Sequence, residues 1–184
     1  MTADAGDAAG HGVDRPHGGV ADRLWPVLLD RLTDLEPDKK KESLQARVLT
    51  RKAYRDGVLR DLQWLLNATN LDASIDFAGH SDAQRSVINF GLTALSGRIA
   101  SNVDAAQLEA AIRQTIIQFE PRLLPQSIDV KVGTSQRSLD MHNVLAVTIR
   151  GELWSIPYPL EILLRSDIDL ETGQVVLHDQ SRAE

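Results

Sequence analysis

The stretch Phe119-Glu120-Pro121-Arg122-Leu123 closes a long amphipathic segment and precedes a series of strand-like segments. Proline has no backbone N–H and disfavours the α region for the residue before it, so this stretch predicts a helix that stops at or near Glu120. Beyond the proline we expect extended chain, in which residues two apart point to the same side. Glu120 and Arg122 are therefore predicted to lie side by side at a helix-to-strand corner.

The segment before Pro121 has the pattern of an amphipathic helix over about Asn102–Glu120. Apolar or small residues recur at every third or fourth position, as in a helix that buries one stripe: Leu108, Ala111, Ile112, Thr115, Ile116 and Phe119. Ser101, with Asp104 three residues later, resembles a capping box in which aspartate replaces the usual glutamate or glutamine.

Alternating segments fill the chain after the proline. Residues 128–132 and 162–169 alternate apolar and polar side chains, whereas Val144–Ile149 is apolar on nearly both faces, as in a central strand. Glu171-Thr172-Gly173 predicts a hairpin turn into a last strand over Gln174–His178. Helices followed by strands predict an α+β fold, in which N-terminal helices precede a mostly antiparallel C-terminal β-sheet and the long amphipathic helix packs on that sheet.

Composition divides the chain into three regions. Residues 1–20 are rich in Gly, Ala and Asp and have too few large apolar side chains to offset the entropy of ordering, so we expect a disordered tail. Residues 21–178 are predicted to form a single domain, and residues 179–184 a flexible C-terminus.

Two more helices and two loops are expected within the domain. The spacing of Leu24, Leu28, Leu29 and Leu32 predicts a short helix, and a long one should span about Ser43–Asn67, with a weak point at Gly57. Ser86–Gly91 is predicted to be an ordered turn that Val87, Ile88 and Phe90 anchor on the core. Trp154–Pro159, which contains two prolines, is expected to be a loop or a sheet edge. The tryptophans are interpreted as packing residues: Trp25, Trp64 and Trp154.

Charge and composition exclude several classes of function. The chain has 184 residues, 26 of them acidic and 20 basic, and its net charge of -6 argues against general binding of nucleic acid. It has no cysteine, which excludes disulfides and thiolate chemistry. No apolar run approaches the roughly 20 residues that span a bilayer, and no secretory signal pattern is present. We therefore expect a cytoplasmic protein.

No catalytic or cofactor-binding pattern stands out, and we predict no cofactor and no metal. The histidines lack metal-ligand spacing, and phosphate-binding glycine motifs are absent. Glu120 lies beside Arg122, a permanent cation that accepts no proton and favours an ionised carboxylate, which does not suit a general acid. The pair suits a clamp for backbone or for a partner's charges; alternatively, it is a helix terminator with flanking charges.

Four segments together resemble a known family. They are Leu29-Asp30-Arg31-Leu32, the run Val58-Leu59-Arg60-Asp61-Leu62-Gln63-Trp64-Leu65-Leu66-Asn67, Ser86-Val87-Ile88-Asn89-Phe90-Gly91-Leu92, and Ile116-Ile117-Gln118-Phe119-Glu120-Pro121-Arg122-Leu123. In this order and spacing they are similar to the TssE family, baseplate components of bacterial type VI secretion systems, which resemble the small wedge proteins of contractile-phage baseplates. Where that family often has Pro-Asp after the Gly-Leu, this chain has Thr93-Ala94.

The resemblance implies a structural role without enzymatic activity. TssE proteins join TssF, TssG and TssK in baseplate wedges around the spike and tube, at the cytoplasmic face of the inner membrane, and start polymerisation of the contractile TssB–TssC sheath. We expect an open edge of the C-terminal sheet to receive a sheath strand by β-augmentation. Glu120, Pro121 and Arg122 would be the sheath-attachment residues, with no direct membrane insertion and no nucleic-acid partner.

Two other functions remain open at this point. A lysozyme-like peptidoglycan glycosidase would need two convergent carboxylates in a cleft, about 5–9.5 Å apart. A regulatory module of the anti-adaptor type, built on the same fold, would instead capture a signalling protein.

Overall fold

A computed structural model describes residues 24–33, 37–38, 49–72, 74–95, 103–134 and 143–181. The helices are α1 (Leu28–Leu32), α2 (Arg51–Asn67), α3 (Ser81–Gln84) and α4 (Ala105–Phe119), with short 3-10 turns at Val87–Asn89 and Pro125–Ser127. The strands are β1 (Asp129–Thr134), β2 (Val144–Leu153), β3 (Leu160–Asp169) and β4 (Val175–Asp179). This order confirms the predicted α+β fold.

The four strands form one antiparallel sheet in the order β1-β2-β3-β4. The β2 strand is central, as its apolar sequence predicted, and β2 and β3 pair along ten residues from Val144 opposite Asp169 to Leu153 opposite Leu160. Gly173 has a φ of 75°, so the predicted turn at 171–173 is confirmed. The prediction that Trp154–Pro159 is a loop is also confirmed.

The helices cover one face of this sheet. Helix α4 packs on β1 and helix α2 on β4, and the two helices touch each other. Alternate residues of each strand face this core because successive strand side chains point to opposite faces; in β2 they are Leu145, Val147, Ile149, Gly151 and Leu153. The predicted packing of the amphipathic helix on the sheet is thus confirmed, with Leu108, Ile112 and Ile116 buried.

Both long helices begin with a capping side chain, at positions that correct the sequence-based boundaries. Helix α2 begins at Arg51 and not at Ser43: Leu49 pairs with Leu24 in an isolated bridge, and the Thr50 hydroxyl accepts from Ala53 N at 3.1 Å. The chain before Leu49, back to residue 39, lies outside the described residues. The helix is continuous through Gly57, so no break occurs there.

At α4 the N-cap is Asp104, whose carboxylate accepts from Ala106 N at 2.9 Å and Gln107 N at 3.2 Å. Asp104 therefore lies at the start of the helix and not inside it, and the prediction of a capping box that starts at Ser101 was wrong in register. Ser101 itself lies outside the described residues. A carboxylate that accepts two of the free N–H groups of the first turn is a sufficient cap.

The predicted anchoring of the Ser86–Gly91 turn was wrong for Val87 and Ile88, whereas Phe90 does pack edge-to-face on Phe119, with ring centroids 5.3 Å apart. Val87 and Ile88 are 80% and 62% exposed, whereas Asn89 is 5% exposed. The Asn89 amide accepts from Leu71 N at 2.9 Å and donates to Asp72 and to Gln84 O. A buried polar side chain with three hydrogen bonds therefore anchors this turn, because it satisfies backbone groups that leucine or valine could not.

Other large apolar residues are also on the surface, and they include the tryptophans that the sequence assigned to packing. The α1 leucines Leu28, Leu29 and Leu32 are exposed, and so are the tryptophans Trp25, Trp64 and Trp154. Among the described residues up to position 33, only Leu24 is in the core. The predicted tail at 1–20 lies outside the described residues, and the domain boundaries stay a prediction.

In the part of the chain that the structure describes, every helix is too short or too polar to span a membrane. Within the same ranges, no cluster of three His, Cys, Asp or Glu side chains could hold a metal ion.

Candidate functional site

The helix-to-strand corner at residues 120–124 is fastened to the end of β2. Glu120 ends α4, with its N–H still bonded to Ile116 O at 2.8 Å, and Pro121 prevents further helix. Trp154 N donates to Arg122 O at 2.8 Å, and Leu124 N donates to Glu152 O at 2.9 Å. The corner is therefore paired on both sides of Leu123, which is itself fully buried.

Glu120 and Arg122 lie side by side, as the sequence predicted. Oε1 of Glu120 accepts from the backbone N of Arg122 at 3.1 Å and from its Nε at 2.7 Å, while Oε2 accepts from Nη2 at 2.5 Å. The Glu120 side chain is 4% exposed and that of Arg122 is 15% exposed. This fork-shaped pairing of guanidinium and carboxylate fixes the geometry of both groups.

The pair continues into a row of charges that the sequence did not reveal. Nη2 of Arg122 also donates to Asp61 of α2 at 2.6 Å. Nε of Arg60 donates to the other oxygen of Asp61 at 2.9 Å, and its Nη1 to Asp30 of α1 at 2.5 Å. Charges alternate along this row, which we call the corner network (Asp30, Arg60, Asp61, Arg122 and Glu120), and it joins α1, α2 and the end of α4.

The carboxylates of the network hold both guanidiniums in the charged form. Burial lowers the pKa of Arg122, but hydrogen bonds and charges from Glu120 and Asp61 outweigh this and raise it above its ordinary value. The hydrogen bond that Arg60 donates to Asp30 raises the pKa of Arg60 despite some desolvation. Arg60 also lies over the Trp64 ring, 5.2 Å from its centroid. Neither arginine can exchange a proton with a substrate, so the network is suited to holding structure.

Tyr54 lies next to the network on α2. It is 5% exposed, and its hydroxyl donates to Trp154 O at 3.2 Å. Burial raises the pKa of its phenol, Arg122 lowers it, and Glu120 raises it, with a net upward shift. Tyr54 and Arg122 thus hold the backbone of residue 154 from both sides.

Glu120 and Arg122 bond to this chain's own residues, and Pro121, between them, is exposed. Attachment of the sheath by these three residues stays a prediction. The sequence did not predict the part that Arg60 and Asp61 of α2 play in this network. Their position opposite the corner depends on how α2 packs, which a pattern along one helix does not show.

The sheet edge at β1 is covered by side chains of α4. Val132 N donates to the Glu109 carboxylate at 2.9 Å. Nε of Arg113 donates to Ile128 O at 3.0 Å, and its Nη2 to Pro125 O at 3.1 Å. A strand from another chain could not pair along β1 without displacing these bonds.

The opposite edge, at β4, is covered at one end only. The Asn67 amide bonds to both backbone groups of Val175, accepting from its N at 3.0 Å and donating to its O at 2.8 Å. Backbone groups alternate direction along a strand, so those of Leu177 and Asp179 face the same outer side. Among the described residues, no group bonds to the outward backbone N–H or C=O of Leu177 or Asp179.

A surface cavity of about 770 Å³ is lined by Asp72 and by residues between 74 and 84. Its two carboxylates are engaged locally: Asp72 accepts from the Asn89 amide at 3.1 Å, and Asp76 accepts from Ala78 N at 2.8 Å. These bonds tie both carboxylates to the structure of the loop itself.

The fold and the corner network together define the class of protein. It is a small α+β protein in which paired charged side chains hold its own helices together. A protein-family model described as Baseplate wedge protein gp25 matches residues 52–158, more than half of the chain. The chain belongs to this family, and its role is that of a structural component of a phage-tail-like baseplate. Comparisons with the curated proteins and with the solved structures gave no match.

Proposed function

We propose that the chain is a TssE-type subunit of a bacterial type VI secretion baseplate, which joins TssF, TssG and TssK in the wedge and starts polymerisation of the TssB–TssC sheath. The observation that carries sheath initiation is the outer edge of β4 at Leu177 and Asp179, whose outward backbone groups bond to no other described residue. A strand edge with unpaired N–H and C=O groups is a template for another strand.

Asn67 determines where an added strand would begin. Because its amide occupies both backbone groups of Val175, pairing starts at Leu177 and proceeds toward the C-terminal end of β4. The β1 edge is not the pairing edge in this proposal, because side chains of α4 cover it. An incoming sheath strand would therefore pair along β4, and its pairing would begin at Leu177.

The corner contributes to sheath attachment in two ways: it is rigid, and it exposes one residue to a partner. Glu120 and Arg122 hold the end of α4 against α2 and the sheet, and Pro121 is the part of this sheath-attachment segment that a partner can touch. On this proposal the protein has no enzymatic activity and no cofactor, and it works at the cytoplasmic face of the inner membrane. It binds neither nucleic acid nor the bilayer directly.

Asp179→Pro tests the free edge. The Asp179 side chain is exposed, and its backbone N–H points away from β3, so proline removes an outward donor and leaves the β3–β4 bonds in place. We expect no sheath in cells that carry a fluorescent TssB. Asp179→Ala is the matched control, since it also removes the carboxylate bond to Ser181 N but keeps the N–H. Normal sheaths with a folded Asp179→Pro protein would refute strand addition at β4.

A further inference from the structure

The β2–β3 loop presents large apolar side chains to solvent. Trp154 is 54%, Ile156 51% and Tyr158 76% exposed. Exposed single apolar residues are common, but three within five positions on one loop form a patch of the kind that marks an interaction site. Tryptophan and tyrosine are also the residue types that most often dominate the energetics of protein interfaces.

The backbone under these side chains is fixed. Trp154 N is bonded to Arg122 O at 2.8 Å, and Trp154 O to the Tyr54 hydroxyl at 3.2 Å. The hydroxyl of Ser155, which is buried, donates to Tyr158 O and closes the loop. A loop held in this way loses little conformational entropy on binding, so its apolar contacts contribute more of their free energy to affinity.

Two carboxylates lie at the base of the same loop. Glu152 and Glu161 are directly opposite each other in the β2–β3 register, and both are exposed. Like charges that face each other across two strands repel. Neither carboxylate has an ion-pair partner among the described residues, and Arg55 bonds to the backbone carbonyl of Glu161 at 3.0 Å and not to its carboxylate.

The carboxylates and the apolar patch share one side of the loop. Glu152, Trp154 and Ile156 are exposed, while Leu153 and Ser155 between them are buried. In extended chain this alternation places Glu152 and Trp154 on the same side, and Ile156 follows where the loop bends. A ligand that lies on the aromatic residues therefore also meets the repelling acidic pair.

We propose that this loop surface (Glu152, Trp154, Ile156, Tyr158 and Glu161) binds an apolar segment of a partner protein that carries an arginine. A guanidinium stacks on tryptophan or tyrosine and pairs with carboxylates in the same position, which suits it to this combination better than the compact ammonium of lysine. It also relieves the repulsion between Glu152 and Glu161. The chain's net charge of -6 favours encounter with such a segment.

Photocrosslinking tests the loop surface. Tyr158 or Ile156 of the full-length chain is replaced by p-benzoylphenylalanine in cells that build the apparatus, and the crosslinked segment is identified by mass spectrometry. We expect a segment of another protein with an arginine beside apolar residues. Trp154→Ala should lower crosslinking about thirty-fold, the loss that corresponds to a central interface residue.

The double variant Glu152→Lys/Glu161→Lys separates charge recognition from folding. It still places two like charges opposite each other, so its stability should match that of the wild type, yet crosslinking should fall at least tenfold. Replacing the partner's arginine by glutamate should restore crosslinking to the double variant. The control is Glu171→Lys, which reverses the charge of an exposed residue in the β3–β4 turn. It should leave crosslinking unchanged.

Several results would overturn the proposal: a crosslinked segment without arginine, crosslinks only to a second copy of this chain, no crosslink from either position, or equal yields in the double variant and the Glu171→Lys control. These outcomes are independent of the Asp179→Pro result, because the loop surface and the β4 edge carry different residues. If either the loop-surface proposal or the β4-edge proposal fails, the other can therefore still be tested.

Discussion

The Arg122 guanidinium donates a 2.6 Å hydrogen bond to the Asp61 carboxylate, 61 residues earlier in the chain. This bond joins the corner after α4 to the middle of α2, while the same guanidinium holds Glu120. The stretch around Pro121 thus ends a helix and also fixes how two helices meet. A substitution in this stretch that changes partner binding therefore also changes the structure of the corner.

Removing either member of the Glu120–Arg122 pair should destabilise the fold. Arg122→Ala leaves the buried Glu120 carboxylate without its partner, which costs about 3–5 kcal/mol. Glu120→Ala should cost less, because Arg122 keeps its hydrogen bond to Asp61. The double variant should cost less than the sum of the two, because neither member of the pair is then left buried without the other. Urea unfolding followed by circular dichroism measures these differences.

The exposed pair Lys52–Asp56 is the control for the buried one. Lys52→Ala should change the free energy of unfolding by less than about 1 kcal/mol, since solvent screens the pair and holding it costs side-chain entropy. If Arg122→Ala were as mild as Lys52→Ala but abolished sheath assembly, the pair would contact the sheath directly instead of supporting the corner.

Gly91→Ala should be much more damaging than Gly79→Ala. Both glycines have positive φ, 123° and 80°, so both variants carry backbone strain, typically about 1–3 kcal/mol. A methyl group at Gly91 would also lie 2.3 Å from Ala68 O, whereas at Gly79 it meets nothing within 4 Å. Thermal unfolding midpoints of the two variants test this, and equal midpoints would contradict the close contact between residues 68 and 91.

Ser166→Ala should stabilise the protein. Ser166 is 4% exposed on the core face of β3, and its hydroxyl has no hydrogen-bond partner among the described residues. Replacing an unsatisfied buried hydroxyl by hydrogen should raise the free energy of unfolding by about 1 kcal/mol. Ser155→Ala should have the opposite sign, because Ser155 donates to Tyr158 O. A loss of stability in Ser166→Ala would show that its hydroxyl is satisfied in solution.

Tyr54 should make the fold sensitive to alkaline pH. Its pKa is raised from the ordinary 10.0, chiefly by burial, so the folded state keeps the phenol proton longer than the unfolded state. This stabilisation is complete below pH 10 and is lost as the pH rises through the folded pKa. The chain has two tyrosines, so the Tyr158→Phe variant isolates Tyr54. Its absorbance at 295 nm should show tyrosinate forming above pH 10, and Tyr54→Phe should weaken the loss of stability at high pH.

The local pattern was sufficient to predict the α+β layout, the central strand and the hairpin at 171–173. Periods of two and of about 3.6 residues follow from backbone geometry and survive in almost any tertiary context. Helix starts were less accurate, because a cap such as Thr50 or Asp104 is a single side chain among several that could cap. The predicted anchoring by Val87 and Ile88 was wrong because hydrophobicity alone does not show that Asn89 satisfies buried backbone groups.

By itself the sequence determined that Pro121 ends a helix and that Glu120 and Arg122 meet across it, because proline geometry and the two-residue spacing act locally. Only the tertiary structure decided that Asp61 completes the pair, that Asn67 covers one end of the β4 edge, and that Trp154, Ile156 and Tyr158 face solvent. Those contacts join residues far apart in the chain. Their geometry depends on how helices and sheet pack, and many arrangements of the same elements share one local pattern.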